Sequence, residues 1–319
     1  MRFPASILEL GQMFSSDEAC LEYMIQVRWP EGFQCPECQG TKGYMVWERK
    51  AFKCAKCGEW QYLTQGTVME KSRTSLSKWF SGAYMITTVT PGMSALQFQR
   101  QIGIPSYECA FQMFHKLRAA MVVPFGTKLE GEVEMDETFI GSHRIGSPPG
   151  RGAEGKSLVI GAVEVVHYWE KGKERTRTGR ARLLHVEDAS KRVIVSFLKD
   201  YVAAGTLVRT DGWRGYEGIE KYGYKHDPFI LETPEQAARA FPHIHRVFGN
   251  LKAWIIGTFH GVSPKHMQAY LNEYVFRFTR RFKPWEAFNT VLGLASESEA
   301  PTYQQLYRAG RLKGWEHPQ

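Results

Sequence analysis

No apolar run in the 319-residue chain approaches the ~20 residues that a membrane-spanning helix needs, so we expect no membrane partner. The opening stretch, MRFPASILEL, also lacks the basic start, the long apolar core and the cleavage site of a secretory signal. Both absences favour a cytoplasmic protein. Hydrophobic residues make up 43% of the chain, which favours folded domains over disorder.

Acidic residues are the minority charge, with 33 Asp and Glu against 41 Lys and Arg. The resulting formal net charge of +8 favours a polyanionic partner such as DNA. The length of the chain predicts at least two domains.

Cysteine is scarce, and the pattern of its six residues does not suggest disulfides in a chain without an export signal. Four of them form a C-x2-C-x15-C-x2-C arrangement in CPECQGTKGYMVWERKAFKCAKC. Two such pairs, each on a tight turn, predict a tetrahedral four-thiolate site for Zn²⁺. Such a site has no open coordination position, so the zinc is structural. The predicted ligands, on a ribbon of short strands, are Cys35, Cys38, Cys54 and Cys57.

Three helical patterns follow the ribbon, namely SLSKWFSGAYMITT, MSALQFQRQIG and SYECAFQMFHKLRAAMVV. The last two are separated by a Gly-containing turn, which is typical of a helix-turn-helix but also of plain helical linkers. Both interpretations stay open. If the region binds DNA, the third helix offers Tyr107, Gln112, His115 and Lys116 as contacts.

The pattern changes near Glu130 to strand, strand, strand, helix, strand, which predicts a mixed α/β domain. The whole chain is thus expected to be an α+β multidomain protein. The predicted segments are an N-terminal helix with a zinc ribbon (1–67), a helix-turn-helix region (68–128), an α/β domain (129–295) and a tail (296–319).

The stretch GRGAEGKS, from Gly150 to Ser157, matches the phosphate-loop pattern G-x-x-x-x-G-K-[ST]. A phosphate loop follows a buried strand and opens a helix, but here a loop precedes the motif and the strand LVIGAVEVV follows. We therefore expect no ATP. A basic connection is predicted instead, whose Arg151 and Lys156 contact a nucleic-acid backbone.

The next turn region, KGKERTRTGRAR, carries six Lys and Arg against one Glu. Two interpretations stay open, a DNA-binding hairpin that uses Arg175 and Arg177, and a solvated turn.

Two aspartates stand in strand patterns, Asp136 in EVEMDETFIG and Asp211 at the end of LVRTDGW. A carboxylate in an apolar strand is costly to bury unless it binds a cation. Two of them on neighbouring strands predict a site for two divalent metals of the kind used in phosphodiester chemistry. The helix pattern FPHIHRVFGNLKAWIIGTF offers His245 as a third ligand and Lys252 on the same face as a phosphate contact.

These motifs together resemble the bacterial insertion-sequence transposases of the DDE type that carry an N-terminal zinc ribbon. The similarity covers nearly the whole chain. It is carried by RWPEGFQCPEC, CAKC, GTVMEKSRTSL, MSALQFQRQIG, VEMDETFIGS, GRGAEGKSLVIGAVE, TDGWRGY and GTFHGVSPKHMQAYLNEYVFRFTRR. The resemblance implies an RNase H-like catalytic domain in which Asp136 and Asp211 are the first two metal-binding acids. Lys252 corresponds to a basic residue that follows the third ligand, and that third position is usually Glu or Asn.

His245 stands at the third position and departs from the family pattern. Imidazole suits softer metals than Mg²⁺, so we expect stronger use of Mn²⁺ and a loss of activity below a pH of about 6.5, where His protonates. Glu273, in AYLNEYVFRF, is the alternative third ligand, and a site without a third ligand is also considered. Glu134 and Glu137 flank Asp136. Glu134 shares the strand face of Asp136 and is a candidate to assist the site, but we expect a surface role.

The resemblance implies a transposase that binds terminal inverted repeats, cleaves DNA at the element end and joins the 3′-OH to target DNA. It also implies two Mg²⁺ or Mn²⁺ ions and a homo-oligomer that holds two DNA ends. Two alternatives remain, an inactive transposase that survives as a DNA-binding protein and a nuclease that cuts but does not join.

Overall fold

The computed structural model describes residues 4–65, 67–122, 128–141, 156–229, 236, 240–282, 287–288 and 290–292. The chain divides into two compact units, which we call the first unit (Met1–Met121 with Phe282–Gln319) and the second unit (Val122–Arg281). This division differs from the predicted segments, because the stretch near residue 288 packs with the first unit. The Phe288 ring lies 6.4 Å from that of Phe14 and 5.9 Å from that of Tyr84.

The described residues of the first unit include five α-helices and a three-stranded antiparallel ribbon. Ser16 caps the second helix, since its Oγ accepts a hydrogen bond from the N–H of Ala19 at 3.3 Å. One ribbon face is covered by aromatic rings, with Phe33 stacked on Phe52 at 4.9 Å. The elements are α1 (Ile7–Met13), α2 (Asp17–Arg28), β1 (Gly43–Val46), β2 (Ala51–Cys54), β3 (Trp60–Tyr62), α3 (Leu76–Thr88), α4 (Ala95–Ile102) and α5 (Tyr107–Ala119).

The predicted helix-turn-helix segment is present as α4 and α5, joined by a short turn. Gly103 ends α4 with a φ of 64°, a left-handed conformation that glycine adopts without strain. Ser106 then starts α5 by accepting a hydrogen bond from the N–H of Cys109 at 3.2 Å. The two helices are held together by Phe98 and Phe114, whose stacked rings lie 4.4 Å apart.

The second unit is built on a five-stranded mixed sheet in the order β6-β5-β4-β7-β8. β4, β5 and β6 are antiparallel neighbours, whereas β7 and β8 continue from β4 in parallel. This is the RNase H-like arrangement, and the predicted combination of zinc ribbon and mixed α/β domain is confirmed. The elements are β4 (Glu132–Ile140), β5 (Ser157–Glu170), β6 (Lys173–Val186), α6 (Lys191–Tyr201), β7 (Leu207–Asp211), β8 (Lys225–Phe229), α7 (Pro242–Phe259) and α8 (Met267–Thr279).

Strand alternation gives the sheet two different faces. Val133 and Met135 of β4 belong to the apolar core under α6, whereas Val163 of β5 belongs to the core under α7 and α8. Because successive side chains of a strand point to opposite faces, Glu134 and Asp136 lie on the α7 face. The strand β8 was not predicted, because its sequence KHDPF is polar and mostly exposed, as a sheet edge allows.

A glycine lets α7 lie close to the sheet. Gly161 of β5 pairs with Asp136 of β4, and a Cβ built at Gly161 would lie 2.6 Å from a ring carbon of Phe248 in α7. A side chain at this position would therefore push α7 away from the strand that carries Asp136.

Gly161→Ala is expected to destabilise the second unit by about 1–3 kcal/mol, because overpacking a tight contact forces neighbouring groups to shift. The matched control is Gly249→Ala, one residue after Phe248, where an added Cβ meets nothing within 4 Å. Alanine has a higher helix propensity than glycine, so the Gly249→Ala protein should be as stable as the wild type or more stable by ~0.5–1 kcal/mol. Denaturant titrations measure both, and equal stability of the two variants would contradict the packing argument.

Candidate functional site

The four predicted zinc ligands converge at the base of the ribbon. The Sγ atoms of Cys35 and Cys57 lie 3.7 Å apart, and those of Cys38 and Cys54 lie 3.6 Å apart. A tetrahedral site with Zn–S bonds of about 2.3 Å has S–S edges of about 3.8 Å, so the four thiols fit Zn²⁺. Hydrogen bonds from backbone N–H groups, led by that of Cys57, lower the pKa of Cys54 to about 6, which favours a thiolate there. For Cys57 the backbone N–H of Glu59 lowers the pKa, but burial and hydrogen bonds with the other thiols outweigh it and raise the pKa to about 12, so the metal-free cluster keeps protons that zinc must displace.

The parallel pairing of β4 with β7 brings the two predicted aspartates together. Glu132 pairs with Leu207, an offset of 75 residues (207 − 132 = 75). The same offset relates Asp136 to Asp211 (211 − 136 = 75), so the two lie side by side just beyond the last paired residues. The Oδ1 of Asp211 is fixed by the N–H of Trp213 at 3.1 Å.

The environment of Asp136 disfavours its negative charge. Burial raises the pKa of Asp136 from 3.8 to about 7, and the negative charges of Glu137 and Asp211 add to the rise. The N–H of Glu137 and the charge of Lys252 act in the opposite direction without cancelling it. A bound cation would reverse this balance, so the electrostatics fit a divalent metal at the paired carboxylates.

The first turns of α7 bring His245 to the same place. Its Nε2 lies 4.0 Å from Oδ2 of Asp136, which is less than twice a metal–ligand distance of about 2.1 Å, so one ion can contact both atoms. Burial lowers the pKa of His245, the positive charge of Lys252 lowers it further, and Asp211 opposes the shift. His245 is therefore held in the neutral form that can coordinate a metal.

Two lysines lie beside these groups. Burial lowers the pKa of Lys252, Asp136 partly restores it, and the positive charge of Lys156 lowers it again. The ammonium group of Lys252 is thus influenced by the charges of both Asp136 and Lys156. Lys156 directly precedes β5, and Ser157 begins that strand, as the sequence predicts for LVIGAVEVV.

Glu273, the alternative third ligand, is fully buried in α8 and forms an ion pair with Arg277 at 3.3 Å. Within the described part of the chain, the four cysteines form the single group of three or more potential ligands that lie within 4.8 Å of one another. The set of Asp136, Asp211 and His245 is thus more open than the zinc site, and the ion pair with Arg277 already uses the carboxylate of Glu273.

The expected surface role of Glu134 is wrong, because its side chain is only 1% exposed. It accepts hydrogen bonds from the start of α7, a role that our reading of the sequence missed. The alternation in VEMDE places Glu134 on the same face as Asp136, but it does not identify the helix that Glu134 contacts. Glu137 is half-buried and accepts a hydrogen bond from the hydroxyl of Tyr216 at 2.9 Å.

The predicted DNA contacts on α5 fall into two groups. Tyr107 is 46% exposed, and Gln112 and Lys116 are half-buried, so all three still reach the surface. His115 is fully buried and its ring packs 4.3 Å from that of Phe111, so its predicted DNA contact is wrong. Because His115 follows Phe111 by four residues, the two side chains lie on the same face of the helix, and that face packs inward.

The basic hairpin places its arginines away from the aspartates. Thr176 and Thr178 of β6 bond to His243 of α7, so Arg175 and Arg177 point to the opposite face of the sheet. Both arginines are exposed, and Arg175 pairs with Glu170 at 3.0 Å. Arg151, the remaining predicted contact, lies outside the described residues.

Asp136→Asn is expected to stabilise the protein at pH 8 when no Mg²⁺ or Mn²⁺ is added. Folding raises the pKa of Asp136, so the folded state loses stability as pH rises from 3.8 to about 7 and does not regain it above. Removing the charge should restore up to about 4 kcal/mol at pH 8 and almost nothing at pH 4. Denaturant titrations at both pH values measure this difference.

Asp188→Asn is the control of opposite sign, because hydrogen bonds from Ser190 lower the pKa of Asp188. Loss of the Asp188 negative charge in this variant should slightly destabilise the protein at pH 8. An Asp136→Asn variant no more stable than the wild type at pH 8 would contradict the electrostatic description of the site.

None of the helices in the described ranges is long and apolar enough to cross a membrane.

Two segments of the chain match known protein families. Residues 128–279 match the family described as ISXO2-like transposase domain, and residues 15–59 match the family described as transposase zinc-ribbon domain. An uncharacterized protein in transposable element ISH50 of Halobacterium salinarum is 24% identical over 296 residues, which cover 88% of this chain and 98% of that protein. The chain therefore belongs to the insertion-sequence transposases that combine a transposase zinc ribbon with an ISXO2-like transposase domain.

Proposed function

We propose that this transposase binds the terminal inverted repeats of its element, hydrolyses a phosphodiester at the element end and joins the freed 3′-OH to target DNA. The observation that carries this proposal is the position of Asp136 in β4 beside Asp211 at the end of β7, just beyond the parallel pairing of the two strands, with His245 4.0 Å from Asp136. Mg²⁺ or Mn²⁺ held there would activate the attacking oxygen and stabilise the leaving oxygen of an in-line displacement.

The side chains around the aspartates have separate tasks in this proposal. Asp136 and Asp211 supply the negative charge that holds the cations, and His245 adds a neutral ligand that favours Mn²⁺ over Mg²⁺. Lys252 and Lys156 bind the phosphate that flanks the scissile bond, since both are near the site and positively charged. The active form, by analogy with the family, is an oligomer that holds two DNA ends.

Asp136→Ala and Asp211→Ala are each expected to abolish metal-dependent cleavage and strand transfer on labelled element-end DNA without weakening DNA binding. His245→Ala should reduce both reactions. His245→Glu should raise activity with Mg²⁺ relative to Mn²⁺, because a carboxylate is the harder ligand. Asp188→Asn, an exposed control, should keep wild-type activity.

Activity should fall as pH drops from 8 to 6, because protons compete with the metal for Asp136, whose pKa is about 7. The expectation that His245 sets a limit near 6.5 is revised, since burial lowers its pKa. Repeat binding without any metal-dependent cutting would instead support an inactive, DNA-binding transposase. Cutting without joining would support a nuclease.

The zinc ribbon has a surface suited to the DNA-binding step. Tyr44, Lys53 and Trp60 form a row across its three strands, and Tyr44 is 54% exposed. The guanidinium of Arg49 lies 4.6 Å and the ammonium of Lys53 lies 5.4 Å from the ring of Trp60. We call these four residues the ribbon face. Aromatic rings beside cations bind nucleic acids by stacking and by phosphate contacts, and the opposite side of the ribbon is already covered.

Trp60→Ala is expected to weaken binding to element-end DNA by about 1–3 kcal/mol, the usual value of one aromatic contact with a base. Lys53→Ala should reduce the slope of log affinity against log salt concentration by about 1, the value expected for one lost phosphate contact. Lys50→Ala is the matched control, because Lys50 is paired with Asp17 at 2.7 Å. Fluorescence titrations with zinc content checked would measure the effects. Wild-type affinity in the Trp60 and Lys53 variants would exclude the ribbon face.

A further inference from the structure

Glu134 holds the beginning of the helix that carries His245 and Lys252. Its Oε2 accepts hydrogen bonds from the backbone N–H of His243 at 2.8 Å and from that of Ile244 at 2.9 Å. These N–H groups belong to the first turn of α7, where a helix has no internal acceptors for them. Glu134 therefore caps the helix from a strand 109 residues earlier in the chain.

The helix has no cap of its own at this end. Phe241 occupies the N-cap position, where it makes no side-chain hydrogen bond, and the first turn of α7 contains no acidic residue. Polar N-cap side chains usually supply such bonds from within the helix start. In this protein the acceptor comes from β4 instead, so the cap also fixes α7 to that strand.

The position of the cap couples the helix to the aspartates. Glu134 and Asp136 lie two residues apart on one face of β4, and His245 directly follows Ile244 in α7. A shift of the first turn of α7 along the sheet would change the 4.0 Å separation of His245 Nε2 and Asp136 Oδ2 directly. Lys252 lies two turns further along the same helix and would move with it.

We propose that Glu134 is a positioning residue, which sets the distance of His245 from the paired aspartates by fixing the first turn of α7 to β4. The proposal rests on the proposed function, because it assigns His245 to the metal site. Glu134 does not contact the metal or DNA in this role and acts through the backbone of α7.

A second buried carboxylate provides a matched control for a purely structural role. Glu164 of β5 is 7% exposed and also accepts two backbone hydrogen bonds, from the N–H groups of Glu130 and Arg180, both at 3.1 Å. One partner, Arg180, belongs to β6, and the other, Glu130, lies just before β4. Neither belongs to α7. Loss of Glu164 should thus reduce stability without a specific effect on His245.

The first experiment compares Glu134→Met, Glu134→Gln and Glu164→Met in the full-length, zinc-loaded protein. Hydrogen exchange at His243 and Ile244 reports the cap, and calorimetric titration with Mn²⁺ alone reports the metal site. Glu134→Met should speed exchange at both amides and weaken Mn²⁺ binding about tenfold or more, as loss of a residue that orients a ligand does. Glu134→Gln keeps an acceptor oxygen and should behave nearly as the wild type, while Glu164→Met should lower only the melting temperature.

A double-mutant cycle with His245→Ala makes the test specific. If Glu134 acts through His245, adding Glu134→Met to His245→Ala should cause no further loss of Mn²⁺ affinity. An equal loss in both backgrounds would overturn the proposal, as would unchanged Mn²⁺ affinity in a folded Glu134→Met protein. Absence of Mn²⁺ binding by the wild type would overturn it too.

The cleavage assay separates this result from the proposed function. A wild type that binds Mn²⁺ through His245 but cuts no DNA would refute the proposed function alone. A wild type that cuts, with Glu134→Met equal to it in Mn²⁺ affinity and turnover, would refute the positioning role alone.

Discussion

The parallel pairing of β4 with β7 brings the carboxylate of Asp211 next to the largely buried carboxylate of Asp136, and the candidate site is built around these two groups. Asp136 is largely buried, so burial and its acidic neighbours raise its pKa to about 7. This arrangement does not stabilise the fold, because the Asp136 carboxylate loses its hydration on folding and keeps it in the unfolded chain. Binding of a cation would explain the arrangement, because it would offset the cost of the buried charge. Shifted pKa values are also typical of functional sites.

The helix α7 is the second part of this arrangement, and three contacts set its place. Glu134 bonds to its first turn, the ring of His243 bonds to Thr178 at 3.0 Å, and Phe248 packs over the bare backbone of Gly161. The contacts come from three adjacent strands, β4, β6 and β5. Together they restrict both the height of the helix above the sheet and its position along it, which is the precision that ligand placement requires.

Local sequence patterns were sufficient where the chemistry is local. The four cysteines form knuckles within a few residues, and the strands around Asp136 and Asp211 follow from alternation, so both could be predicted. The role of Glu134 could not, because its contact depends on a partner distant in sequence. Glu134 meets α7 across 109 residues, and nothing in its own strand specifies that contact. The strand β8 was missed since its stability comes from pairing with β7 and not from its own residues.

The identity of the third ligand changes the charge of the site as well as its metal preference. Two aspartates and a neutral imidazole carry two negative charges, whereas a glutamate in place of His245 would supply a third. In the proposed reaction, two divalent cations would then depend more strongly on the negative charge of the scissile phosphate. Lys252 and Lys156 add positive charge nearby and increase that dependence. With His245 as the proposed third ligand, full metal occupancy would depend on bound DNA, and cutting would wait until an element end is bound.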